Sequence, residues 1–367
     1  MASTPPGCAQ SPPTTLLTLA DELLEEIFLR LPEAADLARA TMARVSFRRL
    51  ITDHRFLRRF RAGHPPPLLG VIPPHHQPDR PLRLAQPPHP SAAADFSCSF
   101  LPSPKRWHRR DLRDGRVLLS GVPDGSRFDC RALVREFAVC DPLHRRYVLL
   151  PAVPDDLAAS AQQPDLARFE PFLAPPAAED RPNDVSSRVI CLAQCATKLV
   201  LFIFSSTTGQ WRTVTFHDWA TLLEGSENPA PGQPYRWPRM RHYAHGCFCW
   251  AFYPQGKLIM LDTRTMDFSA ANLPPGTNNM QAVVLEAAKG RLGMFMNEYL
   301  TPVLTYVVLR NDGHGANQWQ SEAVISLPLG KRNVLMGVAG GYLLIKGMPE
   351  STFSFPLAEK EDSEFFR

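Results

Sequence analysis

The sequence predicts a multidomain α+β chain, a small all-α unit followed by a large all-β domain of β-propeller type. Three observations predict it. Apolar residues recur at helical spacing through LTLADELLEEIFLRLPEAADLARA at residues 17–40, and related patterns continue to about residue 61. A proline-dense stretch, GHPPPLLGVIPPHHQPDRPLRLAQPPHP at 63–90, then interrupts every regular pattern. Past residue 95, short apolar runs of strand length alternate with turn signals to the end of the chain.

Residues 1–14 have no basic start followed by an apolar block, so they are expected to be disordered rather than a signal peptide. Thr18 with Asp21 offers a helix start, a side-chain oxygen accepting an orphan backbone amide. Leu23, Ile27 and Leu31 then recur every four residues, with Leu24 and Phe28 on the adjoining stripe and Glu22, Glu25, Glu26 and Arg30 opposite. That spacing predicts an amphipathic helix of about three turns, closed by Pro32, which lacks an amide proton. Asp36 is expected to cap a second helix carrying Leu37, Ala40 and Met42. A third is expected at Val45–Ile51, and Asp53 caps a fourth, HRFLRRFRA. A unit of this size, residues 15–62, gains only a few kcal/mol from its own core. With no metal ligands and no disulfide pattern in it, a protein partner is the remaining stabiliser.

Residues 17–60 resemble an F-box, the helical module that docks receptors of cullin–RING ubiquitin ligases onto a Skp-type adaptor. Leu19, Glu22, Leu23, Leu24, Ile27, Phe28, Leu31, Pro32, Asp36 and Leu37 fall in register with that family's motif. Ala20 stands where the family has its first proline, Ala43 and Arg44 where it has Val-Cys, and Phe47 where it has tryptophan. The resemblance implies adaptor contacts at Leu19, Leu23, Leu24, Ile27, Leu31, Pro32, Leu37, Ala40, Phe47 and Leu50. It also implies cullin and RING partners reached through the adaptor.

The segment 63–94 reads as an extended spacer, with His75, His76 and His89 solvated; PPPLLG is similar to the linker of grass-type F-box proteins. Residues 95–367 share a grammar. A glycine-flanked strand and a second apolar strand are followed by a polar turn (DPLHRR, STTGQ, DTRTM, NDGHGANQ) and a last strand often ending at Leu-Pro. The pattern returns at roughly 50 to 70 residues, the length of a four-stranded blade. Runs such as KLVLFIF are apolar throughout, as expected of strands covered on both faces. DFSCSFLP near residue 95 is a candidate for the strand missing from the short last unit. The domain resembles the kelch-like F-box-associated propellers of plants; a β-sandwich with an extra sheet is the alternative.

Composition narrows function. A net charge of +4, with basic residues spread along the chain, argues against a nucleic-acid partner. No apolar run reaches the roughly 18 residues of a membrane span. Among the eight cysteines, Cys191 with Cys195 and Cys247 with Cys249 lack zinc or redox spacing, so reduced, buried thiols are expected. No nucleophile motif, phosphate loop or metal cluster is legible, so no catalytic, cofactor or metal residue is assigned. Asp262 and the aspartate of RNDG read as turn residues. RHYAHGCFCW, with His242, His245, Cys247 and Cys249, reads as packed blade core, the two cysteines on one sheet face and Phe248 on the other. RWHRRDLRDGR at 106–116 reads as a solvated edge, and Trp211, Trp219, Trp237, Trp250 and Trp319 as blade packing. The expected function is substrate recruitment to a cullin–RING ligase in cytoplasm or nucleus, by a chain that does no bond chemistry. A non-degradative scaffold and a propeller enzyme are the competitors.

Overall fold

The fold comes from a computed structural model, which describes residues 19–32, 34–64, 70–71, 83–84, 95–121, 129, 132–161, 165–175, 188–195, 197–217, 219–223, 240–277, 280–298, 301–311, 317–327, 332–339, 342–348 and 351–356. Its contacts divide into two units, Met1–Pro67 and Leu68–Arg367.

The first unit is four short helices: α1 (Asp21–Leu29), α2 (Ala34–Ala43), α3 (Val45–Ile51) and α4 (His54–Gly63). Leu24, Phe28, Leu37, Ile51, Phe56 and Phe60 form its core, and Phe47 meets Phe28 edge-on at 5.1 Å. Asp53 caps α4, its carboxylate accepting the backbone N–H of Arg55 at 2.7 Å and of Phe56 at 3.4 Å. Asp53→Ala should therefore cost about 1 kcal/mol and speed amide exchange across 54–63 severalfold, read by hydrogen-exchange mass spectrometry.

Two local expectations change. Ala20 takes the N-cap position of α1 with no side-chain hydrogen bond, and Thr18 lies outside the described residues. Asp36 sits inside the first turn of α2, because the helix starts two residues earlier; its carboxylate pairs with Arg39 instead of capping. Within the expected spacer, β1 (Gly70–Val71) and β2 (Arg83–Leu84) pair antiparallel, so the proline-rich segment is not extended throughout; His75, His76 and His89 lie outside the described residues.

The second unit is a succession of antiparallel sheets, each built from consecutive strands. Sheet I is β3 (Trp107–Arg113), β4 (Arg116–Gly121), β5 (Phe137–Asp141) and β6 (Arg146–Leu149). After the short helix α5 (Asp155–Ala158), sheet II is β7 (Leu166–Ala174), β8 (Arg188–Cys195), β9 (Lys198–Ser205) and β10 (Gln210–His217). Sheet III is β11 (His242–Ala244), β12 (Cys247–Phe252), β13 (Lys257–Asp262) and β14 (Phe268–Asn272). Sheet IV is β15 (Met280–Ala287), β16 (Arg291–Glu298), β17 (Val303–Asn311) and β18 (Asn317–Ser326). Sheet V has three described strands, β19 (Arg332–Ala339), β20 (Tyr342–Met348) and β21 (Ser351–Pro356).

Successive sheets pack face to face. Leu118, Phe137 and Val139 of sheet I meet Phe169, Val200 and Phe202 of sheet II. Phe172, Leu199, Leu201 and Ile203 of sheet II meet Phe248, Trp250 and Ile259 of sheet III. Ala251 and Leu258 meet Val284 and Met294 of sheet IV, and Phe295 and Val308 of sheet IV meet Leu335 and Ile345 of sheet V. First strands adjoin first strands: β3 touches β7, β11 touches β15, and β15 touches β19. Meandering sheets stacked in chain order, first strands inward, are the blade arrangement of a β-propeller. β9 explains the all-apolar KLVLFIF. Its Leu199, Leu201 and Ile203 face sheet III while Val200, Phe202 and Phe204 face sheet I, so neither side of the strand is left for water.

DFSCSFLP does not supply a strand. The Asp95 carboxylate accepts the backbone N–H of Ser97 at 3.1 Å and of Ser99 at 3.2 Å, which winds the segment into turns, and Cys98 has φ 54°. Cys98 and Leu101 instead cover Val117, Leu119, Ala138 and Cys140 on the free face of sheet I.

Candidate docking face and inner-strand charge cluster

On α1 the two apolar stripes part company. Leu24 and Phe28 are each 5 % exposed and point into the helical core, whereas Leu23 is 54 % and Ile27 38 % exposed, one turn apart on the outside. Of the other expected adaptor contacts, Leu37 is buried in the core; Leu19, Leu31, Ala40, Phe47 and Leu50 are half-buried against it; Pro32 is exposed. Leu24 and Leu37 are thus core residues of the free unit. Met42 and Val45, at the α2–α3 corner, are exposed apolar residues outside the set of expected adaptor contacts, and Arg44 between them is exposed as well. Arg59 of α4 reaches both Glu25 (2.5 Å) and Glu26 (2.6 Å) of α1, closing the polar side; solvent screening leaves these pairs little stabilising weight.

The inner strands of the β domain carry a second constellation. Arg241, just ahead of β11, holds Asp111 of β3 at 2.9 Å and Glu170 of β7 at 2.5 Å, all three side chains largely buried. Asp111 also accepts the backbone N–H of Leu173 at 2.9 Å, and the Trp250 indole N–H donates to Glu170 at 3.3 Å. The guanidinium lies 4.3 Å from the Phe172 ring centre. One cation thereby ties sheets I, II and III. RWHRRDLRDGR is corrected in part: its residues Trp107–Arg113 form the first strand β3, mostly half-buried, with Arg110 buried and donating to Ser120 at 2.6 Å, while Leu112, Asp114 and Gly115 are exposed.

Next to Arg241, His242 is 7 % exposed, and its pKa is lowered to about 4, first by burial and then by the Arg241 charge, against a backbone hydrogen bond to Ala282 that raises it. His245 forms a turn, its backbone N–H donating to Glu286 at 2.8 Å and its Nε2 lying 2.6 Å from the Arg291 carbonyl. Cys249 packs toward sheet IV with Cys247, and Phe248 toward sheet II, the alternation the sequence predicted. The six described cysteines are free; burial pushes the Cys195 thiol up to about 11 and Cys249 up to about 12, so both stay protonated, small apolar groups. Asp262 is a turn residue, accepting the backbone N–H of Arg264 at 2.7 Å and of Thr265 at 3.2 Å, which hold its pKa below the usual carboxylate range. Trp211 donates to the Pro151 carbonyl and Trp319 to that of Asn272, while Trp250 is fully buried; Trp237 and the Trp219 side chain lie outside the described residues. Among the described residues no cluster of His, Cys, Asp or Glu is placed to hold a metal ion, and no helix is long and apolar enough to cross a membrane.

No protein-family model matches the chain, and no curated protein matches it. Solved structures similar to it include the six-bladed β-propeller lectin of Aleuria aurantia (10% identity, TM-score 0.34, covering 67% of this chain and 70% of that one). They also include YCF48 bound to D1 peptide (8% identity, TM-score 0.32, 70% and 80% covered) and the NanB sialidase from Streptococcus pneumoniae (11% identity, TM-score 0.30, 59% and 33% covered). The chain thus spans a third of the sialidase's length. Likeness at this level carries no argument about activity, so function rests on the chain's own residues.

Proposed function

We propose that the chain is a substrate-recruiting receptor: its helical unit docks on the Skp-type adaptor of a cullin–RING ubiquitin ligase, and its kelch-like β domain holds the protein to be modified. The observation that carries the reading is the pair Leu23 and Ile27, apolar and outward on α1, within a stretch whose residues match the F-box motif from Leu19 to Leu37. Exposed large apolar residues at helical spacing fit a helix-mediated contact with a partner. The receptor contributes effective concentration: a target held beside the charged conjugating enzyme meets it in an intramolecular encounter.

Leu23→Asp with Ile27→Asp tests the docking step, because both side chains face outward and the core formed by Leu24, Phe28 and Leu37 is left intact. Affinity of the full chain for recombinant adaptor, measured by calorimetry, should fall about 100-fold or more with an unchanged circular dichroism spectrum. Affinity within about threefold of wild type would sink the proposal.

A further inference from the structure

We infer that β6, the outer edge of sheet I, is a docking strand for an extended peptide of a partner protein, apolar at three successive positions and acidic at the next. Natural sheets protect their outer strands with charge, shortness or cover. β10 exposes Arg212 and His217, β14 exposes Ser269, Ala270 and Asn272, and β18 exposes Gln320 and Glu322, with Val324 between Glu322 and Ser326 on its face. β6 does the opposite. All four of its residues are exposed, and three in a row are large and apolar: Tyr147 (40 %), Val148 (59 %) and Leu149 (51 %). Leu143, in the turn before it, is 59 % exposed.

Register gives the chemistry of the occupant. Tyr147 pairs with Cys140 and Leu149 with Ala138, so both lie on the face covered by Cys98 and Leu101, where Phe100 stands 6.4 Å from Tyr147. Val148 pairs with Val139 and lies on the opposite face. A strand added at this edge sends successive side chains to alternate faces and meets apolar surface on both. Its next residue meets Arg146. Arg145 and Arg146 are both exposed there, while the nearby Asp141 carboxylate is engaged by His144, Nδ1 at 2.8 Å and backbone N–H at 3.1 Å. The Arg145 guanidinium stands 5.6 Å over the Phe100 ring, so Arg146, beside an occupied carboxylate, is the cation that selects an acidic group, and the edge's main-chain donors and acceptors supply the pairing. Under the receptor reading this peptide belongs to the target. The inference does not need the adaptor, and its test contains none, so the two can fail separately.

The probe is a fluorescein-labelled peptide with the core Val-Ile-Val-Glu, titrated with the full chain and followed by anisotropy. Saturable binding is expected. N-methylation of alternate core amides, which removes main-chain donors, should weaken it about tenfold or more, and Lys in place of the peptide Glu should weaken it about tenfold. Tyr147→Ser with Leu149→Lys should abolish it. Arg146→Glu should reverse the Glu-over-Lys preference, a gain that a misfolded variant cannot produce. Absence of saturable binding, indifference to N-methylation, or an unchanged preference in Arg146→Glu overturns the inference. So does sedimentation showing that β6 joins two copies of the chain, with the peptide unbound.

Discussion

Arg241→Ala is expected to lower the melting temperature of the β domain by roughly 6–15 °C in scanning calorimetry, corresponding to a loss of about 3–5 kcal/mol. The cost comes from what stays behind. Asp111 and Glu170 would face each other without a cation, each largely removed from water, and Trp250 and the Leu173 amide would be bonded to carboxylates that repel. Arg241→Lys should recover less than half of the loss, because an ammonium lacks the planar fork that reaches two carboxylates and stacks on Phe172. The triple change Arg241→Met, Asp111→Asn, Glu170→Gln should lie much nearer wild type, since replacing a buried ion network with neutral groups leaves no unpaired charge. An Arg241→Ala protein within about 1 kcal/mol of wild type would show that water reaches the cluster and that the three sheets are held by their apolar layers alone.

That cluster also marks where sequence reading stopped. The second and third strands of each sheet were legible because burial on both faces makes them continuous apolar runs, as in β9 and β13. The first strands were not. β3 carries three arginines, a histidine and an aspartate, and β11 has three residues. β3, β7 and β19 each contain a register shift, near Arg110, Ala167 and Met336, and one extra residue reverses the alternation on which a period-two pattern depends. The partners in the cluster lie far apart in sequence, at 111, 170 and 241, so no local spacing could announce them. First strands begin at 107, 166, 242, 280 and 332, a spacing more uneven than the interval read from the sequence.

On the helical unit the reverse holds. The limits of α3 and the Asp53 cap were readable, because a short helix is bounded by local chemistry. Spacing alone does not fix which of the two adjoining stripes of α1 turns inward, since Leu23–Ile27 and Leu24–Phe28 have the same spacing. Packing against Ile51 and Phe56 decides it, and those residues come from other helices.

The second large effect is a pH dependence at His242. In the unfolded chain its imidazole titrates near 6.5; in the fold, burial and the Arg241 charge lower the pKa to about 4. Between these values the unfolded chain binds a proton that the folded one does not, so stability is full above about pH 6.5 and falls as pH drops toward 4. The separation implies a loss on the order of 3 kcal/mol across that window, visible as a falling urea midpoint. Asp95, Asp141 and Asp262, whose folded pKa values are lowered below 3.8, lose their contribution only at lower pH, which isolates the histidine segment of the curve. His242→Gln, which keeps a donor for Ala282, should flatten the midpoint between pH 6.5 and 4. In Arg241→Ala the histidine loses the second cause of its shift, so the window should narrow from its acid side. An unchanged slope in His242→Gln would mean that water reaches the imidazole between β11 and β15, and that its charge is tolerated where the fold now keeps it neutral.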